Sequence, residues 1–566
     1  MIKKKYNNDK LVLLQNAIKT NTNKLWYPDL NIQFEQLKTN SCFNINYHKT
    51  PVKYSNLDFN YDNKITDEPI MKCKIIDMHL NKKQKLILNC WFNAYIDMYN
   101  KTITFIKNTI PLDDFKKLKD LWINIKQHNI LIKNNEKKLK NNINSKNKYV
   151  RKLKFLEINK KIKIRKNSLI QCQTLICTYK KEIKKLNIEK DMLDKQNIKM
   201  NIIFNNLNRK IDDNLNWTII RTKNLKEIRD KIIERTYINH LGKKTQIKTQ
   251  IKTHIIDTAI KMACTAYKSC KSNFMSGYIK KFRVKFWRYN KIRKILEIEA
   301  EFINKNKQIC EQTLGKIKYT YKTDFFNKET QKYTKKIQKY ILEEKTVKIL
   351  YDKSSNKYQL LVAEDVDKIK TNITKFIGID QGIRTFASCI TNNEVIEIGT
   401  SIDELIKKYL LRIDKINNND KIETIKKTIK CAKYMRKLKN KIEDIHWKTI
   451  NYLTNNYKTI IIGDLSMKDA SNNKTSKISN MTKRIGLMMS HFKFRQRLQY
   501  KCTIKGINLK IVDEWGTSKT CSFCGNFKAE LKGEHIYECN VCKKHIGRDI
   551  GSSRNILFIG TRSNNI

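Results

Sequence analysis

The amino-acid sequence predicts an α/β multidomain protein: a long helical region, then a small β-rich region, then a mixed α/β domain with a cysteine-ligated insertion. Glycine and proline usage divides the chain this way. All four prolines lie at or before Pro111, no glycine precedes Gly242, and twelve of the 15 glycines lie at or after Gly378. Past residue 375, apolar segments repeatedly end in an acid, and two Cys-x-x-Cys pairs follow near the C-terminus.

Taken in order, residues 1–70 lack clear periodicity and mix aromatics with Asn and Lys, which predicts loops and short strands. Residues 1–78 are therefore expected to form an N-terminal β segment. From 79 to 290 both helix breakers almost vanish, and the Lys, Leu, Ile and Glu that dominate favour long helices. Within that region, residues 80–107 set Leu88, Trp91, Tyr95 and Met98 at helical spacing. Residues 114–200 form a strongly basic helical stretch, with lysine runs at 137–140 and 148–154, and further helices are expected at 223–236 and 245–273. The texture turns to β over 291–370, with a strand at 295–304 and a hairpin whose arms are 347–351 and 358–362.

A chain of 566 residues can bury a large core and should hold two to four domains. Its 117 Lys and Arg stand against 54 Asp and Glu, a formal net charge of +63. AT-rich coding would enrich Lys, Asn and Ile, but it would not hold the acids so far below the bases. A field of this size and sign attracts a polyanion, and nucleic acid is the expected partner. No apolar run approaches the roughly 20 residues that span a bilayer. Residues 1–10 are charged and polar, unlike a signal peptide. The expectation is an intracellular, non-secreted protein without a membrane partner, whose 15 cysteines are not a disulfide framework.

The chemistry concentrates after residue 371. The segment Phe376-Ile-Gly-Ile-Asp380 is a buried apolar strand ending in an acid, followed by a glycine turn and two more strands. An RNase H-like fold needs its first metal ligand at such a place, because two metal ions about 4 Å apart clamp the scissile phosphate and several carboxylates must converge on them. A strand-end Asp that merely caps a turn is the plain alternative. Helices at 401–415 and 421–456 lead to a second such strand, which ends Gly463-Asp464. A polar segment, 468–483, is expected to be a mobile loop, and a basic helix starts at His491. Strand 508–514 ends in Asp513-Glu514, and Asp549 opens the last apolar helix. Between them, Cys521 and Cys524 are separated by fourteen residues from Cys539 and Cys542. Four thiolates on two knuckles suit tetrahedral zinc and leave no position open for water, so the site is expected to be structural.

The ordered blocks GIDQGIRTFAS, IIIGDLSM, SHFKFRQRL, VDEWGTSKTCSFCG, CNVC and GRDIGSSRNIL resemble the TnpB/Fanzor family of transposon-associated, RNA-guided nucleases, densely over 376–560. Upstream the likeness is fainter: the helix from Gln84 to Asn100 looks like the family's first recognition helix, and 295–362 like part of its wedge-type β-barrel. Residues 110–210 have no counterpart. The resemblance implies a RuvC nuclease, of the RNase H-like type, over 371–514, a zinc ribbon inserted at 515–546, and a final RuvC helix and tail at 547–566. Asp380 would be the first catalytic acid, Asp549 the last, and the four cysteines the zinc ligands. The middle acid departs from the pattern. Bacterial members carry Glu where this chain has Gly463, whereas the Fanzor branch moves the acid to just before the TSKTC motif, where Glu514 stands. Asp464 is held in reserve, since successive strand residues face opposite sides. The implied cofactors are structural Zn²⁺ and two catalytic Mg²⁺ on Asp380, Glu514 and Asp549. The implied partners are an omega-type guide RNA and double-stranded target DNA, in a monomeric ribonucleoprotein that would work in the nucleus of a eukaryotic host or in the cytoplasm otherwise. A catalytically dead RNA-guided binder, a resolvase or transposase acting without RNA, and a plain zinc-ribbon RNA-binding protein remain as alternatives.

Overall fold

Short, near-continuous apolar runs build the sheet that organises the C-terminal part of the chain. In the computed structural model, seven strands lie in the order Glu35–Leu37, Ile45–Lys49, Glu394–Ile398, Ala387–Ile390, Phe376–Asp380, Thr459–Gly463 and Asn508–Val512. Successive strands among the first five pair antiparallel, and the last two run parallel to Phe376–Asp380. The structure describes residues 2–22, 43–49, 70–158, 165–234, 250–327, 332–369, 373–467, 478–531 and 534–561, with short pieces at 25, 27–28, 34–37, 237–238 and 247–248.

The chain divides into two compact units. The sheet belongs to the unit made of Met1–Lys74, Lys353–Asn356 and Ala363–Ile566. Its central strands are apolar on both faces, as strands covered on both sides must be. Ile377, Ile379, Ile396, Ile398, Ile460 and Ile462 share a core with residues of helices Ile402–Asn417, Thr424–Asn456 and His491–Lys505. Phe376, Ile390, Val395 and Ile461 face the opposite way, against the terminal helix Arg548–Gly560. That helix presses closely on the sheet: a Cβ on Gly378 would lie 2.6 Å from Leu557 Cβ and 2.8 Å from the Ser553 carbonyl oxygen. Only glycine fits beneath it.

Three local expectations differ from the structure. Ile2–Asn21 is a helix rather than loop or short strand, and its Leu14, Ala17 and Ile18 are buried against the terminal helix. Their i, i+3, i+4 spacing is helical, but the polar residues around them hide it from a periodicity reading. The strand expected to end at Glu514 ends at Val512, so Asp513 and Glu514 stand in the turn that follows. Of the loop expected at 468–483, residues 468–477 lie outside the described residues, and Asn480–Met489 is a helix capped by Ser479.

The second unit comprises Ile75–Asp352 and Lys357–Val362. Helix Lys82–Thr109 starts at a capping box between Asn81 and Gln84, which satisfies two otherwise orphaned N–H groups. Leu88, Trp91, Tyr95 and Met98 are fully buried, as their spacing predicts. Helix Thr253–Met275 packs beside it, beginning eight residues later than the sequence suggested. Strands Arg293–Ile298, Val347–Asp352, Lys357–Val366, Ile70–His79, Lys318–Asn327 and Lys332–Lys339 form a six-stranded sheet in that order. The basic stretch is a hairpin of two helices, Leu112–Ile158 and Arg165–Asn214. At 1.5 Å per residue their 47 and 50 residues extend about 70 and 75 Å. Cross-links such as Asn142–Glu182 (3.0 Å), Glu136–Lys190 (3.0 Å) and Asn129–Asn197 (2.7 Å) hold the arms together.

Candidate active site

Asp380 ends the strand that carries it, directly opposite Ser388. Burial raises its carboxyl well above the ordinary range, and the charges of Asp549 and Glu514 raise it further. A hydrogen bond from Ser552 and the Arg548 charge act in the other direction. Asp549 lies in the first turn of the terminal helix, whose packing on the sheet brings that turn to Asp380. The Arg548 guanidinium touches Asp549 Oδ1 from Nε and an NH₂ group, both at 3.3 Å.

Glu514 reaches the same face from the turn after the outermost parallel strand. A Cβ built on Gly463 would lie 2.5 Å from Glu514 Oε2 and 3.2 Å from Glu514 Cβ. The Glu514 side chain therefore occupies the volume that a residue-463 side chain would need. Burial, then the Asp464 charge, pushes the Glu514 carboxyl up to about 7, against the Arg495 charge. Its Oε2 is buried without a hydrogen-bond partner.

Asp464 is exposed, and its carboxylate turns to the backbone: Glu514 N donates to Asp464 Oδ1 at 3.2 Å, and Asp464 N donates to the Val512 carbonyl at 2.9 Å. The structure thus ties Asp464 to the backbone from which Glu514 projects. Among the described residues, the groups whose ligand atoms all lie within 4.8 Å of one another are the four cysteines and the set His254, Glu299 and Glu301. Asp380, Glu514 and Asp549 are not such a set, but the charges of Asp549 and Glu514 both act on Asp380, and a pair of ions about 4 Å apart would bridge carboxylates set further apart. The orphaned Glu514 oxygen and the raised carboxyls of Asp380 and Glu514 fit a cation-binding cradle.

Sequence reasoning overlooked two neighbours of this cradle. Arg495, buried in helix His491–Lys505, donates to Gln381 Oε1 at 2.7 Å and to the Leu465 carbonyl at 3.0 Å, linking the residues just past both site strands. Its signal was only a basic residue on an apolar helical face. Glu397, one of two acids in its strand, lies in line with Asp380 and Ser388 across the sheet.

The four cysteines stand on two tight knuckles. Gly525 N and Lys543 N each donate to the carbonyl of the first cysteine of their pair at 3.0 Å, with Gly525 and Lys543 in the left-handed region. Sulfur–sulfur distances of 3.7 Å (Cys521–Cys542) and 3.5 Å (Cys524–Cys539) approach the roughly 3.8 Å expected of thiolates at about 2.3 Å around tetrahedral zinc. At Cys539 burial pushes the thiol up, but the N–H donors of Cys542 and Val541 outweigh it and bring it to about 7. The cluster can hold a zinc ion.

Two family models match this chain: the Cas12f1-like TNB domain over residues 491–556, and OrfB_IS605, a probable transposase, over 358–474. The TnpB-like protein L770 of Acanthamoeba polyphaga mimivirus is 32% identical over 355 residues, which is 60% of this chain and 62% of the relative. A putative RNA-guided DNA endonuclease of Streptomyces pristinaespiralis is 22% identical over 231 residues, 38% of this chain and 53% of that protein. A solved Cas12f1–sgRNA–target DNA complex aligns over 54% of this chain and 70% of the Cas12f1 chain, at 14% identity and a TM-score of 0.31. The chain thus spans a little under two thirds of the mimivirus relative it matches. On the two family models and the mimivirus match, the chain is similar to TnpB-like and Cas12f1-like proteins.

Proposed function

We propose that the protein is an RNA-guided DNA endonuclease whose single RuvC-type site is formed by Asp380, Glu514 and Asp549. The observation that carries this reading is the Glu514 carboxylate over Gly463, on the sheet face where Asp380 and Asp549 meet. The strand order supports an RNase H-like domain, because the Asn508–Val512 strand lies beside Thr459–Gly463. The relocated acid supports the Fanzor branch of the family. In a eukaryotic host such an enzyme acts in the nucleus.

Asp380, Glu514 and Asp549 would hold two Mg²⁺ ions, which when bound lower the pKa of a water and neutralise charge on the phosphate under attack. The protein's own part is placement. Asp464 fixes the backbone of Glu514, and Arg495 sets the two strand ends relative to each other while favouring the charged form of Glu514. The Cys521, Cys524, Cys539 and Cys542 cluster, as a structural zinc ribbon, anchors the base of the terminal helix. The basic hairpin supplies backbone contacts to a guide RNA and its DNA heteroduplex, so that base pairing rather than protein carries sequence specificity. A monomeric ribonucleoprotein completes the reading.

Purification of the complex and sequencing of its RNA tests this directly. The proposal expects one discrete RNA species and Mg²⁺-dependent cutting of duplex DNA matched to it. Absence of RNA together with binding to branched DNA would identify a resolvase-type enzyme instead. RNA-guided binding without cutting would identify a dead effector.

A further inference from the structure

We propose that Glu397 is a fourth carboxylate of the metal site, holding a divalent cation together with Asp549 from the third strand of the sheet. The inference rests on the nuclease reading above and deepens it.

Register places Glu397 on the correct face. Asp380 pairs with Ser388, and Ser388 pairs with Glu397, so the three lie in one row across adjacent antiparallel strands. Residues directly opposite one another in such a ladder project from the same face. Alternation along the strand agrees: Val395 packs in the core beneath the terminal helix, whereas Ile396 and Ile398 pack in the opposite core. Glu397 therefore emerges beside Asp380, on the face that the Asp549 helix covers. Two strand spacings separate the Asp380 and Glu397 backbones by about 10 Å. Oxygens on the outer sides of two ions about 4 Å apart, each at about 2.1 Å, stand about 8 Å from one another. A Glu side chain spans the difference.

Charge leads to the same conclusion. Glu394, on the same strand, has Lys49 at 3.4 Å. Among the described residues Glu397 has no ion-pair or hydrogen-bond partner in the structure, and its neighbour on the other side of the row is the neutral Asn46. Glu397 is half-buried on the face that the terminal helix covers. Half-buried acids unpaired with any base, in a chain with 117 bases and 54 acids, call for another cation. At the far end of the same line of acids, Glu514 Oε2 is likewise buried and unpartnered. Glu397 and Glu514 thus stand on either side of Asp380 on one sheet face, and Glu397 has no counter-charge among the described residues.

The test is Mn²⁺ binding to the purified full-length ribonucleoprotein, followed by electron paramagnetic resonance, with the Mg²⁺ midpoint of cleavage as second readout. Glu397→Gln should weaken one class of Mn²⁺ site tenfold or more and raise the Mg²⁺ midpoint by a similar factor, with cutting recovered at saturating metal. In Mg²⁺-free buffer the same variant should melt at a higher temperature than the wild type, because a charge beside Asp549 is gone. A purely structural Glu397 would instead give a lower melting temperature with unchanged Mn²⁺ affinity, and that result overturns the proposal. Should Glu397→Gln fail to fold, Glu397→Asp carries the test: weakened Mn²⁺ binding supports the ligand role and wild-type affinity overturns it. Asp380→Asn separates the two levels. If it loses Mn²⁺ while the Glu397 variants do not, only the fourth ligand is refuted; if it too binds Mn²⁺ normally, the nuclease site is refuted as well.

Discussion

Glu514 fills the space above Gly463: a Cβ on the glycine would lie 2.5 Å from the glutamate's Oε2. The two positions are therefore mutually exclusive hosts for one carboxylate. Gly463→Glu in the wild-type background should lower stability by about 1–3 kcal/mol through overpacking and like-charge contact, measured by thermal denaturation. In a Glu514→Ala background the same substitution should be tolerated and should restore cutting. Equal melting temperatures for wild type and Gly463→Glu would show that the space is not shared.

The Glu514 carboxyl also gives a pH signature. Its value in the fold is about 7 against an ordinary 4.5, so the folded protein holds that proton more tightly than the unfolded chain. Its contribution to stability is full below about 4.5 and is lost as pH rises through 7. In Mg²⁺-free buffer, wild type should lose stability relative to Glu514→Gln across that window, as read by denaturant melts at stepped pH. Added Mg²⁺ should flatten the trend, since a cation favours the carboxylate. A wild-type protein that gains stability over Glu514→Gln across the same window would contradict the burial of this acid.

Zinc removal should reach the nuclease without touching its acids. Arg554, fully buried on the terminal helix, donates to the carbonyls of Ser522 in the ribbon and of Thr22 and Leu25 at the end of the first helix. Asn555 Nδ2 donates to the carbonyls of Thr517 at 2.8 Å and Thr520 at 2.9 Å. Metal binding at such a site is part of the folding free energy. Cys539→Ser, or a zinc-selective chelator, should lower the melting temperature and abolish cutting together. Arg554→Met, which leaves three carbonyls without their donor, should cost about 3 kcal/mol or more. Full cutting by a zinc-free protein would break the proposed link between ribbon and helix.

The hairpin makes a salt-dependent prediction. Lys180, Lys181, Lys184 and Lys185 are exposed on its second arm. Replacing them with Ala should weaken RNA binding and reduce the slope of log affinity against log salt by about 0.7–0.9 for each lysine that sits on a phosphate. Filter binding at stepped salt reads this, and an unchanged slope would remove the arm from the interface.

The proposed site rests largely on signals that are local in the sequence. Apolar runs ending in acids, Cys-x-x-Cys pairs and the relocated acid before the cysteines each sit in a few consecutive residues, and the register of Thr459–Gly463 beside Asn508–Val512 follows from the fold they imply. What escaped depends on residues far apart in the chain. The first helix is defined by its burial against a helix more than 500 residues later, which no local window contains. Arg495 and Glu397 look like ordinary surface charges until the fold places Arg495 on Gln381 and Glu397 in one row with Ser388 and Asp380. The exclusion of a 463 side chain is likewise a statement about volume, and volume is not written in a linear sequence.

The central claim is that Glu514, not Asp464, completes the metal site. Cleavage of guide-matched duplex DNA by the purified ribonucleoprotein, with saturating Mg²⁺, compares the two directly. Glu514→Gln should lose cutting by a hundredfold or more while retaining RNA and DNA binding, an interaction lost only in the transition state. Asp464→Asn, which keeps an oxygen to accept from Glu514 N, should cut within a few-fold of wild type. Normal cutting by Glu514→Gln with loss in Asp464→Asn would contradict this assignment of the active site.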